Sequence, residues 1–163
     1  MQLKLTPALK GLITGLLMIA TALIIDKSGQ QDIRLQYIAY AIYGAGIVWT
    51  LFGYVRTISH TPKFSELFSQ GFRCFVIVTL IMVAFTFVYI KMHPELVEKE
   101  AAYQREELVK LKGKTPEEID QIIAGGKKGY MVKYVSASIF GYLIIGTVLT
   151  AACSGIIILR RNN

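Results

Sequence analysis

Four stretches of the chain cover nearly a full bilayer crossing without a charged residue: Gly11 to Ile25, Tyr37 to Val55, Cys74 to Ile90 and Tyr134 to Leu159. A hydrocarbon core about 30 Å thick takes roughly 20 helical residues, with about 17 as the lower limit. The second and third runs meet that length and the fourth exceeds it. The first meets it only if its helix begins earlier. Thr6 can cap such a helix, Pro7 suits its first turn, and Lys10 can snorkel its amine to the headgroups. The pattern predicts an all-α integral membrane protein, a single membrane domain with four transmembrane helices at about 7–25, 37–55, 74–92 and 131–159.

The polar stretch between the third and fourth spans has a helical grammar of its own. Pro94 opens a charged segment in which Leu96, Tyr103, Leu108 and Leu111 recur at roughly helical spacing, and Gly113 closes it. Thr115-Pro116-Glu117-Glu118 then combines an N-cap, a first-turn proline and a capping-box glutamate. Ile119, Ile122 and Ile123 follow as an apolar face, and Gly125-Gly126 read as a stop. The expectation is a short helical hairpin over 94–126. Its narrow apolar faces pack on each other, on the membrane surface or on a partner. The competing reading makes it a stalk that extends the third span and caps the bundle.

Between spans two and three, Pro62 to Arg73 places Phe64, Leu67, Phe68 and Phe72 on one side of a helix, the pattern of an amphipathic segment lying in the interface before span three. Trp49 and Tyr54 near one end of span two, and Lys127, Lys128, Tyr130, Lys133 and Tyr134 before span four, are expected interfacial anchors.

Composition agrees with this layout: of 163 residues, 53% are apolar and 18% charged, with a mean hydropathy of +0.48, outside the ordinary soluble range. Ala20-Thr21-Ala22 has the form of a signal-peptidase site, but the apolar run continues through Leu23, Ile24 and Ile25. Leu149 to Cys153 looks like a lipoprotein processing site, but it lies in the last span.

Charge sets the orientation. Lys4, Lys10, Arg56, Lys63, Arg73, Arg160 and Arg161 fall on the side of the two ends and the second loop, against Glu66 alone. The first loop balances Lys27 and Arg34 with Asp26 and Asp32, and Lys91 to Lys133 carries nine basic and eight acidic residues. Basic residues favour the cytoplasm, so both termini are expected there. A formal charge of +7 on such a chain points to anionic lipid rather than nucleic acid.

The search for chemistry returns little. No Asp, Glu, Lys, Arg or His lies near the middle of a span, where proton relays and ion paths place them. His60 and His93 fall on opposite sides of the membrane in this topology and lack a Cys or His at ligand spacing. Cys74 and Cys153 are expected to be free thiols in a reducing compartment. Glu98, Glu100, Glu106 and Glu107 alternate with Lys99, Arg105 and Lys110, the pattern of a solvated, salt-bridged face. No P-loop, Rossmann glycines, nucleophile elbow or zinc-protease helix is present. The reading is no enzyme, with no catalytic residue, cofactor or metal. What remains is packing: Gly11 and Gly15 in span one, Gly44, Gly46 and Gly53 in span two, and Ser136, Ser138, Gly141, Gly146, Ala151 and Gly155 in span four let backbones approach closely.

The Phe64-Ser65 to Gly71 segment, the Pro94-Glu95 helix start, the Thr-Pro-Glu-Glu cap and the apolar end closing on Arg160-Arg161 together resemble the bacterial membrane family known as domain of unknown function 4199. The resemblance implies a small inner-membrane protein of gram-negative bacteria and brings no catalytic residues with it. Two function classes follow. The first is a non-enzymatic scaffold or accessory subunit that presents its exposed helices to another membrane protein or to itself as a homo-oligomer. The second is a carrier or channel for lipid or a small molecule, with a cavity lined by Thr14, Thr21, Thr50, Thr79, Thr86, Thr147 and Thr150.

Overall fold

Three of the helices begin where a side chain holds a backbone N–H at the first turn. In the computed structural model, which describes residues 5–28, 33–111 and 113–162, α1 spans Pro7–Ser28, α2 Ile33–Val55, α3 Phe64–Met92, α4 Glu95–Lys110 and α5 Pro116–Asn162. Lys4, Asp32 and Lys112, part of the charge count above, lie outside the described residues, and the side chain of Arg34 is not described. Thr6 Oγ1 accepts the Leu9 N–H at 3.3 Å and caps α1. Glu66 reaches back to the Lys63 N–H at 3.2 Å and caps α3. The capping box of α5 closes in both directions, with Thr115 N–H to Glu118 Oε2 at 2.8 Å and Glu118 N–H to Thr115 Oγ1 at 3.3 Å. Pro94, which has no N–H to give, separates α3 from α4 at a backbone that stays helical, with φ −61° and ψ −22°.

Among the described residues all regular structure is helical, and α1, α2, α3 and α5 are long and apolar enough to cross a membrane. Two of the sequence boundaries need correction. The interfacial helix before span three is not a separate element, because nothing between Arg73 and Cys74 breaks it and α3 runs unbroken from Phe64. The second arm of the hairpin is likewise the first part of α5, which passes through Gly125 and Gly126 without stopping. The hairpin between spans three and four is therefore α4 against the start of a 47-residue helix.

The chain divides into two compact units, residues 1–83 with 139–163, and residues 84–138. In the first, the contacts at glycines give the packing order. Thr14 of α1 meets Gly46 of α2, and Gly11 and Gly15 of α1 meet Cys74 and Ile81 of α3. Gly146 of α5 receives Tyr43 of α2 and Phe75 of α3, and Gly71 of α3 receives Thr150. The registers make α1 and α3 parallel to each other and antiparallel to α2 and α5, an up-down-up-down bundle with ring order α1, α2, α5, α3. Its core is Met18, Tyr43, Ile47, Leu51, Leu67, Cys74, Phe75 and Val78, all without accessible surface. Only 22–33% of each apolar window is buried, so the remaining apolar surface faces outward.

Residues 84–138 contain α4 and the first part of α5 side by side and antiparallel. Glu98 pairs with Lys127 and Arg105 with Asp120, both at 2.5 Å. A constant sum of the paired residue numbers defines the register. Ile90, Ala101, Ile119 and Tyr130 are the buried apolar residues of this unit.

Candidate functional site

The hairpin holds the residues expected to meet a partner, and the structure sorts them into two groups. On α4, Val97, Ala101 and Gln104 face inward; on α5, Ile122, Ile123, Gly126 and Tyr130 face back, and together they line a groove of about 180 Å³. Glu100, Lys127 and Lys133 supply its charged rim. Gln104 is held in place by donating to Glu100 Oε1 at 2.9 Å, and a side chain at Gly126 would approach its amide oxygen to 3.3 Å. Ile119 is buried, Ile123 and Leu108 are half-buried, and Leu96 is half-buried near the start of α4. Tyr103 and Leu111 are instead 63% and 74% exposed. Leu96, Tyr103, Leu108 and Leu111 therefore do not form one apolar face. The inward face is one position out of phase with that reading, and the alanine and glutamine on it gave no hydrophobic signal.

The interfacial residues are sorted in the same way. Phe64, Phe68 and Phe72 stack along the start of α3 with ring centroids 5.9 and 6.4 Å apart, and Phe64 and Phe72 are half-exposed. Leu67, expected beside them, is fully buried in the bundle. Tyr130, expected to anchor at an interface, is buried with its ring 4.4 Å from Tyr134. Trp49 stays 42% exposed.

Of the glycines expected to pack, Gly11, Gly15 and Gly46 leave no room for a side chain: a Cβ on Gly11 would come within 2.6 Å of the Cys74 carbonyl oxygen, and one on Gly15 within 3.0 Å of Ile81. Gly44 has ordinary contact with Leu149 at 3.6 Å. Gly141 and Gly155 are a correction, because a Cβ at either meets nothing within 4 Å and neither is needed for helix approach inside this chain. Gly71, read only as part of the amphipathic stretch, belongs with the tight contacts. Its signal was a small residue set among Phe68, Phe72 and Phe75.

The polar groups of the bundle are mostly committed to backbone. The hydroxyls of Thr14, Thr21, Thr50 and Thr79 donate to carbonyls one turn back on their own helices, at 2.8 to 2.9 Å. Tyr43 donates to the Tyr142 carbonyl at 2.9 Å and ties α2 to α5. Thr150 Oγ1 and Ser154 Oγ are buried without a partner among the described residues. Cys74 and Cys153 are free thiols. His60 pairs with Glu66 at 3.2 Å and His93 with Glu95 at 2.7 Å. Among the described residues no three His, Cys, Asp or Glu side chains gather at metal-binding distance.

Lys10 departs furthest from expectation. It is 7% exposed, its ammonium lies 5.3 Å from the centre of the Trp49 ring, and a Cβ at Gly53 would overlap it. Gly53 leaves a notch in α2 that the end of the lysine side chain, its amine, occupies.

The comparison with protein families decides the chain's relationship. The model of a family described as protein of unknown function (DUF4199) matches residues 9–159. The chain belongs to that family. No curated protein and no solved structure matches it. The DUF4199 match runs through all four apolar helices and the hairpin, so it covers most of both units described above.

Proposed function

We propose that this protein is a non-enzymatic scaffold or accessory subunit of a bacterial inner membrane, with α1, α2, α3 and α5 crossing the bilayer and both termini in the cytoplasm. Within the bundle unit, the start of α1, the loop after α2 and the end of α5 share one end: Lys10 packs at Gly53, and Arg161 donates to the His60 carbonyl at 3.1 Å. Arg56, Lys63, Arg73, Arg160 and Arg161 gather near that end, which is the distribution expected for a cytoplasmic face.

The observation that carries the scaffold reading is the hairpin's division of labour. Two cross-helix ion pairs and a small apolar interior hold α4 to α5, while Tyr103 and Leu111 remain outside that contact and largely exposed. Large exposed apolar side chains on a charged helix suit a protein surface, either another membrane protein or a second copy of this chain. The test is purification in mild detergent or nanodiscs at native expression level, followed by intact-complex mass spectrometry. A stoichiometric protein partner or a defined homo-oligomer, lost on Tyr103→Ser with Leu111→Ser while helicity is kept, is the expected result. A monomer without a protein partner would overturn it.

A further inference from the structure

We infer that the junction of α1, α2 and α3 around Lys10 is a binding site for the phosphate group of a membrane phospholipid. The inference uses the membrane reading above and is independent of the scaffold role.

An ammonium has three N–H donors and no acceptor, so burial leaves it in need of oxygen atoms. The groups around Lys10 supply none. The Trp49 ring offers a π face at 5.3 Å, Gly53 offers a methylene, the Cys74 thiol lies within electrostatic reach but is a weak acceptor, and among the described residues no hydrogen bond or ion pair joins the amine to a protein oxygen. A ring face answers one side of the cation and leaves the rest of its shell open. The position is deliberate in sequence terms, because a side chain at residue 53 would push the amine away from the ring.

Depth selects the occupant. Lys10 is three residues beyond Pro7, the first residue of α1, or about 4.5 Å along the helix at 1.5 Å per residue. That is the level of the glycerol and phosphate groups for a helix that starts at the membrane surface. Leu9, Leu12, Trp49 and Phe52 remain exposed on the same two helix ends and give the acyl chains apolar surface beside the headgroup. A charged side chain held inside a membrane helix bundle without a protein counter-ion is stabilised by an anion from outside the chain, and at this depth the abundant one is lipid phosphate.

The test uses phosphatidylglycerol as the probe, titrated into the full-length protein in neutral detergent. Bound lipid is counted by native mass spectrometry, and the emission of Trp49, the chain's one tryptophan, reports occupancy beside the amine. The wild type is expected to retain one lipid saturably, and Lys10→Met to bind it at least about tenfold more weakly, the loss of one charge-assisted contact. Lys63→Met, at an exposed lysine, should bind as the wild type does. Gly53→Ala leaves the lysine in place and displaces only the flexible end of its side chain, so it keeps the fold and should weaken binding by several-fold. Binding by Lys10→Met as tight as by the wild type would overturn the site. The same saturable emission change with inorganic phosphate alone would overturn the lipid as its occupant.

Discussion

The bundle and the hairpin are both built from helices in close contact, but they hold those helices together by opposite means. In residues 1–83 and 139–163 the contacts form where side chains are missing, at Gly11, Gly15, Gly46, Gly71 and Gly146. In residues 84–138 they form where long charged side chains meet, Glu98 with Lys127 and Arg105 with Asp120. The difference follows from the solvent each sequence is suited to. Apolar helices gain nothing from hydrophobic burial when their surroundings are apolar too, so close backbone approach and dispersion must carry association. A charged hairpin in water can use ion pairs but gains little from each.

The largest expected effect breaks the comparison at a glycine. Gly146→Leu would drive a side chain into Tyr43 and Phe75 and is expected to destabilise the bundle by about 3 kcal/mol or more, the upper range for overpacking. Gly155→Leu, where a Cβ meets nothing within 4 Å, should leave thermal unfolding in detergent close to wild type. Equal effects at the two sites would dissolve the distinction between packing and non-packing glycines.

The hairpin should give the opposite sign. Gly125 lies inside α5 with nothing within 4 Å of a Cβ, so Gly125→Ala is expected to stabilise the helix by about 0.5–1 kcal/mol through backbone entropy and propensity. Slower amide exchange over residues 119–130 would register it. The same residue explains what the sequence concealed. A glycine pair after an apolar run is a sound helix stop when nothing lies beyond it. Here Ile119, Ile123, Gly126 and Tyr130 recur at helical spacing across the pair and pack on α4, and that continuity outweighs the cost of two glycines. Four apolar spans and the capping box were legible because each is a local signal: a run of one composition, or four adjacent residues. The inward placement of Leu67, Tyr130 and Lys10 was not, because burial depends on which helix packs against a position and not on its local composition. Lys10 has the composition of a surface residue and is buried beside Gly53, which leaves room for its amine.

A smaller effect sharpens the other half of the comparison. Lys127→Met removes one cross-helix ion pair between partly exposed groups, which is worth about 0.2–1 kcal/mol. Raising salt should reproduce most of that loss in the wild type and almost none in the variant, since exposed pairs are screened. The bundle's packing should be unaffected by either treatment.

The smallest effect lies at the Pro94 break. The Glu95 carboxylate accepts from its own backbone N–H and from His93 Nδ1 at 2.7 Å, and both hold its pKa below the ordinary glutamate value of 4.5. A carboxylate lowered on folding contributes stability that is present above its unfolded value and is lost as pH falls through the folded one. The first turn of α4 should therefore loosen only on acidification below 4.5, and a carboxyl carbon titration of Glu95 should have its midpoint beneath that value. Glu95 is solvent-exposed, so the loss should stay local and leave the bundle's unfolding unchanged. Because Pro94 already deprives α4 of a backbone donor and no side chain caps the helix, Glu95→Gln should reproduce the acid form at neutral pH. A Glu95 midpoint at the ordinary value would mean that neither the backbone N–H nor His93 holds the carboxylate, and that the break between α3 and α4 rests on the proline alone.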